Sequence, residues 1–144
     1  MDNNAVFYAE TNDGIIRESM TLENLLTAVD GVDYGIYDFL IINTNNGFFQ
    51  FSGYEDQFVG EIRINYTSDF STYSLINDSG IKDITELYTP FQTIYPPRHQ
   101  IVTKQAIQNA IKILVDTKDI NKLVESIPCE DTTILTKMYM GGGY

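Results

Sequence analysis

Proton transfer and nucleophilic attack need a side chain tuned by its surroundings, with an orienting partner beside it. In this 144-residue chain the candidates are its one histidine, His99, and its one cysteine, Cys129. His99 follows Pro96-Pro97-Arg98, and no motif supplies it with a nucleophile and an orienting carboxylate. It reads as a satisfied, partly exposed histidine. Cys129 lies in Ile127-Pro128-Cys129-Glu130-Asp131. Two adjacent carboxylates raise a thiol pKa, the opposite of what a reactive cysteine requires. No glycine-rich phosphate loop follows an expected strand. Asp30 with Asp33, or Glu55 with Asp56, offer oxygen ligands, but neither pair has the spacing and distal Glu of a calcium loop. The expectation is a protein that is not an enzyme, with no catalytic residue, no metal and no cofactor.

Attention therefore moves to the surface, where charge is unevenly placed. The whole net charge of −11 lies before residue 100, with 15 Asp and Glu against 4 Lys and Arg, while the last 45 residues carry 5 of each. Folding needs no such excess, because self-repulsion opposes compaction. Either the charge serves solubility alone, or it shapes a surface for a basic partner. The acids cluster around an expected sheet and its turns: Asp30, Asp33, Asp38, Glu55, Asp56, Glu61 and Asp69. Tyr34, Tyr37, Tyr54 and Tyr66 are interleaved with them. Opposite charge steers encounter, and tyrosine supplies contact area with a polar tip. The candidate partner-binding residues are Asp30, Asp33, Tyr34, Tyr37, Asp38, Tyr54, Glu55, Asp56, Glu61 and Asp69; a solvated sheet face is the alternative. With only nine scattered Lys and Arg, direct nucleic-acid binding is not expected.

A chain of this length buries roughly 68–70% of its unfolded surface and needs no disulfide or metal to hold together. One globular domain is expected over residues 1–140, with a disordered tail at 141–144. No apolar run approaches the ~20 residues of a membrane span, and the first residues, Met1-Asp2-Asn3-Asn4, carry no signal-peptide features. A cytoplasmic location is expected, which a single cysteine fits.

The elements that must position the surface are mostly legible. Ala5–Ala9 reads as a strand closed by Asn12-Asp13-Gly14, with Ile15 and Ile16 as hairpin partner. Thr21 caps a helix whose stripe is Leu22, Leu25, Leu26 and Val29, with Gly31 as its stop. Phe39–Ile42 and Phe48–Phe51 form a hairpin around Asn43-Thr44-Asn45-Asn46-Gly47. A third strand, Phe58–Tyr66, places Phe58, Ile62, Ile64 and Tyr66 on one face and Glu61 and Arg63 on the other. A fourth, Ser71–Ile76, alternates Tyr73 and Leu75 against Thr72 and Ser74. Prolines 90, 96 and 97 break up residues 77–97, where Ile84–Tyr88 is a candidate short strand. Thr103 caps a helix that buries Ala106, Ile107, Ala110, Ile111, Leu114 and Val115 and turns Lys104, Gln108 and Lys112 to water. Asp119 caps a second, which runs to Pro128. Ile134–Met140 reads as a last strand. The fold class is α+β: an antiparallel β-meander of four or more strands with one wet face, an N-terminal helix, and C-terminal helices packed on one face.

Several of these segments resemble the immunity proteins of bacterial polymorphic-toxin and contact-dependent inhibition systems. Thr21–Leu26 followed by Phe39–Ile42 resembles the family's opening helix and strand. Phe48-Phe49-Gln50-Phe51 and Val59-Gly60-Glu61-Ile62-Arg63 are similar to its hairpin. Tyr95–Val102 leading into Ala106–Thr117 is similar to its closing loop and helix. Lys118 stands where the family often has a glycine, and the chain has no tryptophan. The resemblance implies an α+β, non-enzymatic inhibitor that binds and neutralises a cognate toxin domain, and an acidic surface suits a basic toxin such as a nuclease. Two alternatives stay open: a nucleic-acid mimic that blocks a DNA-binding protein, and a small-ligand binding domain.

Overall fold

Two tight hairpins in succession set the architecture. The computed structural model describes residues 8–141. Strand β3 (Phe39–Thr44) returns through Asn45-Asn46 into β4 (Gly47–Tyr54), and β4 returns through Glu55-Asp56 into β5 (Gln57–Asn65). A four-residue loop leads on to β6 (Phe70–Leu75). This meander is widened by β1 (Tyr8–Thr11) and β2 (Ile16–Arg17) on one side and by β9 (Cys129–Asp131) on the other, giving a seven-stranded antiparallel sheet in the order β2-β1-β3-β4-β5-β6-β9. Residues 5–7 of the first expected strand, and 142–144 of the expected tail, lie outside the described residues. Gly141 closes a helix.

Period-2 alternation divides the sheet. Leu40, Ile42, Phe49, Phe51, Phe58, Ile62 and Ile64 are buried on one face. Onto them pack α1 (Leu22–Asp33), α2 (Lys104–Thr117) and α3 (Ile120–Ser126), through Leu25, Val29 and Val32, then Ile107, Ala110, Ile111 and Leu114, then Ile120 and Leu123. The expected caps form: Thr21 accepts from Asn24 N, Thr103 from Ala106 N, and Asp119 from Asn121 N. Lys118, which closes α2, takes the left-handed conformation (φ 56°) that favours glycine.

Several expectations need correction. Gly31 does not stop α1; it lies within the helix, where a Cβ would meet the Tyr37 ring at 2.7 Å. The turn comes at Gly35, whose φ is +81°. Tyr66 falls beyond β5 and is exposed. Residues 134–140 belong to a helix, α4 (Thr133–Gly141), not a strand. Asp131 Oδ1, from the end of β9, accepts from Thr133 N at 2.8 Å and satisfies a first-turn N–H of this helix, against the β propensity of Ile134 and Thr136. The sequence reading also missed β9. Thr72, expected on the wet face, is fully buried beneath α4, with its Oγ1 bonded to Thr132 and Thr136 Oγ1.

The second sheet face is only partly wet. A small hairpin of β7 (Leu87–Tyr88) and β8 (Thr93–Ile94) folds beside it, with Leu87 fully buried and β7 packed near β4. Ile84 bridges Pro97, and Val102 bridges Phe58. No helix among the described residues is long and apolar enough to cross a membrane.

Gly47 carries the sharpest packing constraint. A Cβ there would stand 1.9 Å from the Arg63 carbonyl oxygen, backbone that cannot give way. Gly47→Ala is expected to lower stability by about 2–3 kcal/mol. Gly80→Ala, where a Cβ meets open space but φ is +67°, loses about 1 kcal/mol. Urea-denaturation midpoints of the two variants check this order.

Candidate functional site

Acidic side chains build one end of the molecule from three elements. Both residues of the β4–β5 turn are left-handed, Glu55 at φ 49° and Asp56 at φ 66°, in a turn that Asn-Gly would form with less strain. Such conformations cost about 1 kcal/mol or more each for non-glycine residues. Three hydrogen bonds offset the strain. Glu55 N donates to Asp33 O at 3.1 Å, Asp56 N to Asp33 Oδ1 at 2.8 Å, and Lys104 N to Asp56 Oδ1 at 2.8 Å. Two of these involve a carboxylate and are each worth about 1.5–3 kcal/mol, so the bonds outweigh the strain. Asp33 thereby ties the end of α1 to the turn, and Asp56 ties the turn to the start of α2.

The acids here surround a side-chain cation. Lys104 Nζ pairs with Asp30 and lies 3.7 Å from Asp33 Oδ2, with the Tyr34 ring 5.5 Å away. The Asp30 hydrogen bond, ahead of the opposing effect of burial, raises the Lys104 pKa. Lys104 was expected to face water; it instead occupies the place a metal ion would take between these carboxylates.

Around this frame lie exposed rings. Tyr34 is 68% and Tyr88 64% exposed, with Ile36 and Phe91 also open. Tyr88 meets Tyr54 edge-on at 6.1 Å, a Cβ on Gly35 would touch both Tyr54 and Pro90, and Gln92 Nε2 donates to Asp38 Oδ1 at 3.0 Å. The α1–β3 loop, the β4–β5 turn and the β7–β8 hairpin therefore meet. The Glu55 carboxylate, beside the Tyr54 hydroxyl, pushes that phenol's pKa up.

Of the ten candidate residues, the structure gathers Asp30, Asp33, Tyr34, Asp38, Tyr54, Glu55 and Asp56 at this end. Tyr37 sits close by but half-buried, its ring against Gly31 and under Arg17. Asp69 is at the opposite end of β5, about 30 Å away at ~3.3 Å per strand residue, and pairs with Lys137 at 2.5 Å. Glu61 lies mid-sheet, half-buried on the second face. Tyr88 and Phe91 were missed, since the prolines hid the hairpin. The sign in the sequence was Thr89-Pro90-Phe91-Gln92: Thr89 Oγ1 accepts from Phe91 N and Gln92 N and closes the turn.

Elsewhere, His99 is buried, not partly exposed as expected. Its backbone is fixed between Ile81 and Asn77, and its Nε2 lies 2.6 Å from Glu130 Oε1. Gln100 first, then His99, hold the Glu130 pKa below the usual carboxylate range. Burial, and not the flanking acids, pushes the Cys129 thiol up. An apolar hollow of about 520 Å³ opens between β6, α2 and the α3–β9 link, with Asn109 and Lys112 among its lining residues. Compared with known protein families, curated proteins and solved structures, the chain matches none.

Two substitutions separate struts from surface. Asp56→Ala removes the α2 contact and is expected to lose about 1–2 kcal/mol. Glu61 behaves in the opposite sense: burial raises its pKa, so the native state takes up the proton first. Stability then falls as pH rises through the folded pKa. Glu61→Gln is expected to gain about 0.5 kcal/mol or more at pH ~7 and little at pH ~4. Denaturant midpoints at the two pH values test it.

Proposed function

We propose that this protein is a cytosolic immunity protein, which neutralises a basic toxin domain by occluding it with the acidic, aromatic end described above. One observation carries the reading. Exposed Tyr34, Tyr88 and Phe91 stand with Asp38 and Glu55, while Lys104 is already engaged by Asp30 and Asp33. Uncompensated carboxylates steer a cationic partner in, and rings on short, fixed segments give contact area at low entropy cost. A nuclease domain, with its phosphate-binding cations, is the toxin class this chemistry fits best. The compact arrangement argues against a nucleic-acid mimic, which needs carboxylates spaced along a ridge. The apolar hollow supports a second reading, a small apolar ligand held between α2 and β6.

The experiment uses the toxin domain encoded immediately upstream. Co-purification with this protein and loss of toxin activity in its presence are expected. Glu55→Lys with Asp38→Lys should slow association at least tenfold and flatten its salt dependence, whereas Tyr34→Ala or Tyr88→Ala should speed dissociation at least tenfold. Full toxin activity with excess protein, or unchanged kinetics in all these variants, overturns the proposal.

A further inference from the structure

A second polar feature lies on the face of the sheet opposite the main core. Strand register places Gln50, Glu61 and Ser74 directly opposite one another across β4, β5 and β6, and Glu130 of β9 opposite Ser74. Directly opposed side chains stand about 5 Å apart, so the row presents its polar atoms together. Ile94, Tyr95 and Pro96 wall this row on one side, leaving a cleft of about 330 Å³ that Ser52 and Gln100 also line. Among the described residues, no protein hydrogen bond engages the side chains of Gln50, Ser52, Glu61 or Ser74, and their polar atoms open to the cleft. A half-buried carboxylate with no donor is unfavourable unless something else supplies one.

The chemistry of that missing group follows from the neighbours. Arg63, two residues along the same face, is turned to the far end of the sheet. Its guanidinium stacks on Phe70 at 3.9 Å, and its Nε donates to Asn65 Oδ1 at 2.9 Å. Its charge still acts on Glu61 through space, while Glu130, which Lys82 also influences, is already bonded by His99 and Gln100. Among the described residues that line the cleft, Glu61 is the one that carries charge, which disfavours an anion. A metal ion would find a single open carboxylate, and no group of three His, Cys, Asp or Glu gathers among the described residues. A guanidinium fits better. Its planar N–H donors match a carboxylate bidentately and reach hydroxyl and amide oxygens on either side. The exposed Tyr95 ring at the rim can meet its flat face.

We propose that this cleft binds a guanidinium or alkylammonium group, with Glu61 as its counter-ion and Gln50, Ser52 and Ser74 as neutral acceptors. The group comes either from a small free cation or from an arginine or lysine side chain. This site is distinct from the acidic aromatic end and does not rest on the toxin reading.

The test titrates the full isotope-labelled chain with n-butylguanidinium and, separately, with the neutral isostere n-butylurea, following backbone amides by NMR. Saturable shifts at Gln50, Glu61 and Ser74 are expected with the cation, and at least tenfold weaker binding with the urea. Glu61→Gln should weaken cation binding at least tenfold in a protein whose spectrum is otherwise native. Gln50→Leu should weaken it less, and Glu55→Lys should leave it unchanged. A short arginine peptide separates the two sources. Competition at the same amides assigns the group to a protein side chain, and exclusion of the peptide assigns it to a small cation. The proposal is overturned by absent or unsaturable shifts at the cleft, by equal binding of the urea, by unchanged binding in Glu61→Gln, or by shifts spread over all the acidic residues.

Discussion

The carboxylate of Asp33 holds the most consequential position in the structure. Its side chain accepts from the backbone of Asp56 while its own carbonyl accepts from Glu55, so the last turn of α1 clamps a strained hairpin turn. Asp56 passes the connection on by accepting from the first backbone N–H of α2, a group with no partner inside its own helix. Three elements distant in sequence are thus fixed to one another by two acids. Without them the turn would keep two left-handed residues and lose the bonds that offset their cost. The aromatic rings around this end inherit their positions from that clamp, and an ordered surface binds at lower entropic cost than a mobile one.

The same clamp alters the meaning of the charge asymmetry. An excess of acid in the first 99 residues against a neutral remainder suggests a surface and nothing else. In the folded chain the last third returns cations to the first: Lys104 of α2 pairs with Asp30 and Asp33, and Lys137 of α4 with Asp69. Part of the asymmetry is complementarity between distant segments. Among the acids left without an ion pair, Glu55 and Asp38 stand beside exposed tyrosines, where charge has steering value.

How much of this the sequence reveals depends on range. Helices α1, α2 and α3 were legible because a capping residue and a 3.6-residue apolar stripe agree. The strands β3 to β6 were legible because period-2 alternation, turn residues and apolar runs agree. Failures came where local preference and tertiary context conflict. The Ile and Thr of residues 133–140 favour strand, and the hydrogen bond from Thr133 N to Asp131 and the threonines packed on Thr72 are the contacts that favour a helix there. At the candidate site, residue types were readable but roles were not. Asp33, Asp56 and Glu55 share one composition signal, yet two are struts and one faces solvent. Nothing in spacing tells a carboxylate that accepts a backbone N–H twenty-three residues away from one left to water.

Glu61 is the residue least explained by the needs of the fold. Glutamate is depleted in strands, and a threonine or valine between Gln50 and Ser74 would suit a half-buried sheet position without the cost of burying charge. Neighbouring rows on the same face show that the fold can manage its polar groups: Arg63 is stacked and bonded, and Thr72 is fully satisfied by other threonines. A half-buried carboxylate with no protein donor, in a row whose neighbours also lack protein partners, contrasts with those rows. Local conflicts of this kind collect where a protein meets something else. The acidic end holds strain in its backbone and the cleft holds it in a desolvated charge. The strain at the acidic end is already offset by the bonds of Asp33 and Asp56, whereas the donors that would offset the charge at Glu61 would have to come from a cation outside the chain.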